Sequence, residues 1–314
     1  MKHFANIKDW LESNRFIAGI LQKSRSTSLP GFSGVPIYNV AEFFIRQVQT
    51  IGMTERASAI AFNFVMAVPP AIIFLFTLIP HLPITTTFQG ELYSLIRDII
   101  PGEKNNAVLI GFLKDFINNP RNGLLSFGFI LSLYFSSNAM MGIMRSFDKN
   151  YAGFKKRKNW QRRTAAIQLT LLLYFFVISS LMVLIAREVV LKWLGIQNAN
   201  ILALIANLRW IVIFLLFFAC ISFIYKLAPS VHKKWKLINP GSILATSLML
   251  ITSGALSWWV ANFSHYNQLY GSISTVLIIM ILIFINSLIL LIGFELNVSI
   301  YALKAERTEI AIDP

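Results

Sequence analysis

Apolar positions along this chain cluster into long unbroken blocks instead of alternating with polar ones. Blocks of roughly 20 residues match the length a helix needs to cross about 30 Å of hydrocarbon. Six such blocks are legible, at 57–80, 123–144, 164–186, 206–226, 240–263 and 273–301. Barrel strands would alternate with a period of two, so continuity predicts helices. The expected fold is all-α: a polytopic membrane protein with six transmembrane helices.

The segments between blocks carry a second pattern. In ELYSLIRDII, Leu92, Leu95, Ile96 and Ile99 fall on one helical face, and Leu109, Phe112, Leu113 and Phe116 repeat it after PGEKNN. IYNVAEFFIRQV does the same with Ile37, Val40, Phe44 and Val48, following the breaker cluster SLPGFSGVP. These spacings predict additional interfacial amphipathic helices. The chain thus divides into an N-terminal amphipathic segment (1–56), a transmembrane domain (57–302, with an outer insertion at 81–122) and a tail (303–314). No signal-peptide core precedes the first block, which is expected to serve as the insertion signal.

Composition agrees with the pattern. Of 314 residues 56% are apolar and only 13% charged, against about 25% charged in soluble domains. Charge placement then predicts orientation. The N-terminal segment, the second-to-third and fourth-to-fifth loops and the tail hold 21 Lys and Arg, whereas the opposite side holds seven. Loops rich in Lys and Arg stay in the cytoplasm, so both termini are expected there. The run KKRKNWQRR at 155–163 then reads as a face for anionic lipid headgroups and not as a nucleic-acid grip. Membrane lipids are the expected partners, no nucleic acid is, and an oligomer is left open.

Candidate soluble-type chemistry is sparse. Cys220 stands alone, and His3, His81, His232 and His265 are scattered without ligand spacing, so no metal or cofactor is expected. GxSxG, phosphate-loop and dinucleotide fingerprints are absent from the sequence, which leaves nucleotide-driven work without a site.

Within the blocks, several residues stand out. Pro69 and Pro70 fall near the middle of the first, where lost backbone donors predict a helix break around Met66–Pro70. The second ends in SSNAMMGIMR, and the fifth carries Ser253, Ser257 and Ala261 at four-residue spacing. Both predict close helix contacts through small side chains, and Trp258 and Trp259 mark an interface. In the sixth, Asn286, Gly293 and Asn297 share a face, while Glu295 points to the opposite side with Ser299 beneath it. Polar groups on opposite sides predict a span surrounded by its neighbours. Glu295 lies nine residues before Lys304, or roughly 13 Å at the helical rise, and intramembrane carboxylates face a partner or a wet cavity. Three roles are open to it: function, a structural ion pair with a cation such as Arg145, or a shallow interfacial position.

The stretches NPGSILATS (239–247), NFSHYNQLYGSIS (262–274) and LLIGFELN (290–297), with ASAIAFNFVMAVPP (57–70) and the basic SFDKNYAGFKKRKNW, resemble the YihY/BrkB family of six-span bacterial membrane proteins. The likeness covers about residues 40–303, and it departs at Asn63, where an aromatic is usual, and at the second proline. It implies the bacterial inner membrane. It also brings an old ribonuclease label, for which the sequence offers no clustered carboxylates to hold metal ions. The functional expectation is a transporter or flippase of a lipid-like amphiphile, the alternative a non-catalytic envelope scaffold. On the first reading Asn63, Asn138, Asn286, Glu295 and Asn297 line a polar cavity, closed at Pro69 and Pro70. Arg145 and Lys149 then attract headgroups at its mouth.

Overall fold

A computed structural model describes residues 22–50, 52–78, 89–90, 92–93, 103–119, 122–148, 154, 157–194, 199–231, 234–262 and 272–312. Eight helices are named here: α1 (Ile37–Thr50), α2 (Met53–Leu78), α3 (Glu103–Asn118), α4 (Asn122–Ser146), α5 (Asn159–Leu194), α6 (Ala199–Leu227), α7 (Pro240–Asn262) and α8 (Ser272–Ile312). The protein is all-α. The six apolar blocks coincide with α2, α4, α5, α6, α7 and α8. Among the described residues, five of these helices are long and apolar enough to cross a membrane, and α6 adds the shorter apolar stretch Phe214–Leu227. Helix α8 runs past its apolar block to Ile312, because ALKAERTEIAI is built largely of strong helix formers that keep the backbone pairing going.

The expected break in the first span does not occur. Helix α2 continues from Met53 to Leu78 with both prolines inside it. Proline removes the donors that would reach the carbonyls of Val65 and Met66, but packing holds the helical path. Among the described residues the α2–α4 contact is the most extensive. At Gly128 a Cβ would lie 3.3 Å from Ile73 and 3.5 Å from the Phe74 nitrogen, and at Gly142 it would lie 3.3 Å from Asn63. Two glycines on α4 thus let the prolyl helix lie close along its length.

Other helices join this pair in chain order. Helix α5 packs on α4, α6 on α5 and α7, and α8 bridges α7 and α2. The buried core gathers Ile60, Met140, Ile143, Met144, Phe147, Leu169, Ile221, Tyr225, Leu291 and Phe294 from five helices. Phe294 stacks on Phe147 at 4.0 Å between ring centres, with Trp235 5.7 Å away on another side.

Helix α1 lies against α8, burying Val40 in a small cluster with Phe32, Val35 and Ile300. Its amphipathic face was legible from spacing. In α3 the predicted face is represented by the fully buried Leu113; Leu95, Ile96 and Ile99 fall outside the described residues. The turn before α1 needs Gly31, whose φ of 93° is left-handed and whose missing Cβ makes room for Pro240.

The small-residue expectation holds for α4, where Ser137 and Ala139 are buried and Tyr174 of α5 bonds to Ser132 and Ser136. For α7 it is corrected. Ser257 is exposed, and the close contacts are made instead by Gly241, Ser242, Ala245 and Thr246, all buried near its start. A four-residue stripe identifies a face but not the neighbour it meets.

Candidate functional site: a polar girdle around the last span

The first turn of α7 is capped with unusual completeness. Asn239 is the N-cap: its Oδ1 accepts from the Ser242 nitrogen at 2.8 Å, while Ser242 Oγ accepts from the Asn239 nitrogen at 3.2 Å. Pro240 occupies the first helical position, where a missing donor costs nothing. The next orphan donor, the Gly241 nitrogen, gives its bond across to Asn297 Oδ1 of α8 at 2.9 Å, and Asn297 Nδ2 donates back to Asn239 Oδ1 at 2.7 Å. One α8 side chain therefore completes the cap of α7.

Backbones touch at the same place. A Cβ on Gly241 would run into the Gly293 carbonyl oxygen, and one on Gly293 would meet Tyr225 Oη, with the Gly241 oxygen at 2.7 Å and Ala245 at 2.9 Å. Tyr225 fills the remaining gap and donates from Oη to the Leu290 carbonyl at 2.8 Å. Gly293 and Asn297 thus share the face predicted for them, and that face is a close, hydrogen-bonded helix contact.

Glu295 points the other way, also as predicted. Its side chain is 1% exposed, and Oε1 lies 3.9 Å from Nη1 of Arg56, which is 35% exposed. Arg56 also donates to the carbonyl of Ser146, the last residue of α4, at 3.2 Å. The pair therefore stands where α2, α8 and the end of α4 meet. Ser299 sits beneath Glu295, donating to its carbonyl at 2.7 Å. Arg145, the cation suggested by sequence, is not the partner: it is exposed, and its Nε donates to Met141 of its own helix at 3.3 Å. Arg56 went unrecognised because 239 positions separate it from Glu295. The available signal was its place as the last basic residue before the first span, on the same side as the tail.

The remaining candidates go to different contacts. Asn63 Nδ2 donates to the Ala59 carbonyl of its own helix at 2.7 Å and packs beside Gly142. Asn138 Oδ1 accepts from Arg163 of α5. Asn286 is half-buried and its Oδ1 is enclosed without a hydrogen-bond partner among the described residues. Lys149 lies outside the described residues. The described side chains of the set are thus not bonded to one another: Asn63 and Arg145 bond within their own helices, Asn138 to Arg163, Asn297 to the start of α7, and Glu295 pairs with Arg56.

Part of the basic loop is structural as well. Arg157 donates to the carbonyls of Leu227, Ala228 and Pro229 at 3.0–3.3 Å, closing the end of α6. Arg162 pairs with Asp148 at 2.7 Å. Burial pushes the Asp148 carboxyl up, against the pull of Arg162 and Arg157. Among the described residues, no three His, Cys, Asp or Glu side chains come together as a metal would require.

Relatives align with this chain over most of its length. The chain is 28% identical over 267 residues to the putative ribonuclease-like protein YfkH of Bacillus subtilis, covering 84% of this chain and 95% of that one. It is 23% identical to a UPF0761 membrane protein of Stenotrophomonas maltophilia over 82% of this chain, spanning 60% of that relative's length. A UPF0761 membrane protein of Pseudoalteromonas atlantica is 23% identical over 84% of this chain and 87% of its own. No solved structure matches. The family model described as virulence factor BrkB matches residues 44–311, from α1 through the end of α8. The chain is a multi-pass membrane protein and belongs to the BrkB family.

Proposed function

We propose that this protein is a transporter or flippase for a lipid-like amphiphile and not an enzyme, with the Arg56–Glu295 pair as its working polar group. One observation carries the reading. A carboxylate 1% exposed on a membrane-spanning helix faces a guanidinium that is one-third exposed. Intramembrane ionisable groups are costly and mark pathways more often than packing. A buried acid whose cation remains reachable from the basic side is suited to exchange that cation with an anionic headgroup. The basic loops supply attraction of about 1 kcal/mol per Lys or Arg near an anionic surface. The enclosed Oδ1 of Asn286, with no hydrogen-bond partner among the described residues, adds a second polar group deeper along α8, on the side opposite Glu295. On this reading the protein sits in a bacterial inner membrane with both termini in the cytoplasm, and movement is downhill, gradient-coupled or partner-driven.

The test is lipid movement in reconstituted vesicles. Vesicles holding the purified protein and headgroup-labelled anionic phospholipid should expose inner-leaflet label to an external quencher faster than protein-free vesicles. Equal rates overturn the reading. A second reading, a non-catalytic envelope scaffold, is favoured by Asn138, Asn297 and Asn63 going to separate packing contacts.

A further inference from the structure

The flank where α4 meets α5 carries a different constellation. Phe127, Ile130, Tyr134, Asn138, Met141 and Arg145 follow one another at three- and four-residue steps, so they form one stripe along α4. Its apolar end is open: Phe127 is 61%, Ile130 67% and Tyr134 54% exposed. Helix α5 lies alongside and exposes Trp160, Leu171 and Phe175. At the basic end two arginines converge on one residue. Arg145 Nε donates to the Met141 carbonyl, and Arg163 Nη1 reaches Met141 Sδ at 3.5 Å. Arg163 also holds Asn138 Oδ1 and lies 5.0 Å over the Tyr134 ring.

That arrangement fixes the Arg163 guanidinium in place and leaves donors over. All its bonds run through Nη1, so Nε and Nη2 have no acceptor among the described residues. The nearby carboxylate, Asp148, is bonded to Arg162. A guanidinium edge with parallel donors matches two oxygens of a phosphate. Below it runs an exposed hydrocarbon stripe, and Trp160 stands at the level where indoles favour the headgroup region.

We propose that the α4–α5 flank is a binding site for one anionic phospholipid. Its phosphate lies on Arg163 and Arg145, and its acyl chains run along Phe127 and Ile130 on one side and Leu171 and Phe175 on the other. Two adjacent guanidiniums select against a zwitterionic headgroup, whose ammonium they repel. A second copy of the chain docked symmetrically here would set these arginines against their own counterparts. The site is distinct from the Arg56–Glu295 pair, and its test measures binding without flux.

Full-length protein in detergent, titrated with phosphatidylglycerol or with phosphatidylcholine of identical chains and read by native mass spectrometry, decides it. The first phosphatidylglycerol should bind about thirtyfold more tightly than phosphatidylcholine, in line with two basic groups near an anion. Arg163→Gln should remove most of that preference, Arg145→Gln should lower it about fivefold, and Lys236→Gln, on the α6–α7 linker, should leave it unchanged. Because Arg163 also holds Asn138, Arg145→Gln carries the decision alone where Arg163→Gln does not fold. Equal binding of the two lipids, or a preference undiminished by loss of Arg145, overturns the site.

Discussion

Asn297 and Glu295 stand two residues apart on α8 and meet different neighbours. Asn297 looks toward α7, where both ends of its amide are bonded and the backbones of Gly241 and Gly293 touch. Glu295 looks toward α2, where Arg56 stands 3.9 Å away and is partly exposed. The first face is complete, so any change subtracts from it. On the proposed function, the second keeps a partner that a ligand could exchange. Polarity inside a membrane therefore does not by itself signal function.

The largest expected effect breaks the first face. Gly293→Leu must force the Gly241 backbone and Tyr225 apart, and overpacking a tight core costs about 1–3 kcal/mol even where neighbours can yield. Backbone cannot yield, so we expect loss of the folded species in detergent, checked by size-exclusion chromatography. A monodisperse Gly293→Leu protein with unchanged thermal stability would dissolve the α7–α8 contact. Next comes Asn297→Ala, which strands the Gly241 donor and half of the Asn239 cap. Leaving a buried donor unsatisfied costs about 1–3 kcal/mol, read as a lowered melting temperature. The smallest effect lies at the far end of the same helix. Met280 and Ile281 are exposed on α8, and Met280→Ala should change stability by less than about 0.5 kcal/mol. A larger loss there would mean that the apolar end is packed too.

Most of the architecture was legible in the sequence because hydrocarbon thickness sets helix length. The apolar blocks mapped onto α2 and α4 through α8, and the opposed faces of Gly293–Asn297 and Glu295 followed from helical geometry alone. What could not be read was the identity of neighbours. NPGS and GFELN stand out as separate stretches, yet they are the two sides of one contact between Asn239–Gly241 and Gly293–Asn297. Arg56 needed the fold to bring α2 beside α8. The proline pair misled because the rule for a lone helix omits the packing that holds α2 against α4.

The assignment of Glu295 is tested most directly by setting it beside Asn297 in one assay. Headgroup-labelled lipid flux per folded molecule is measured in vesicles for wild type, Glu295→Gln and Asn297→Ala, with the melting temperature of each. We predict that Glu295→Gln melts close to wild type and loses flux, while Asn297→Ala melts lower and keeps flux per folded molecule. If Glu295→Gln instead unfolds as readily as Glu295→Ala and the surviving protein moves lipid at the wild-type rate, the pair is a structural tie like its neighbour and the account is contradicted.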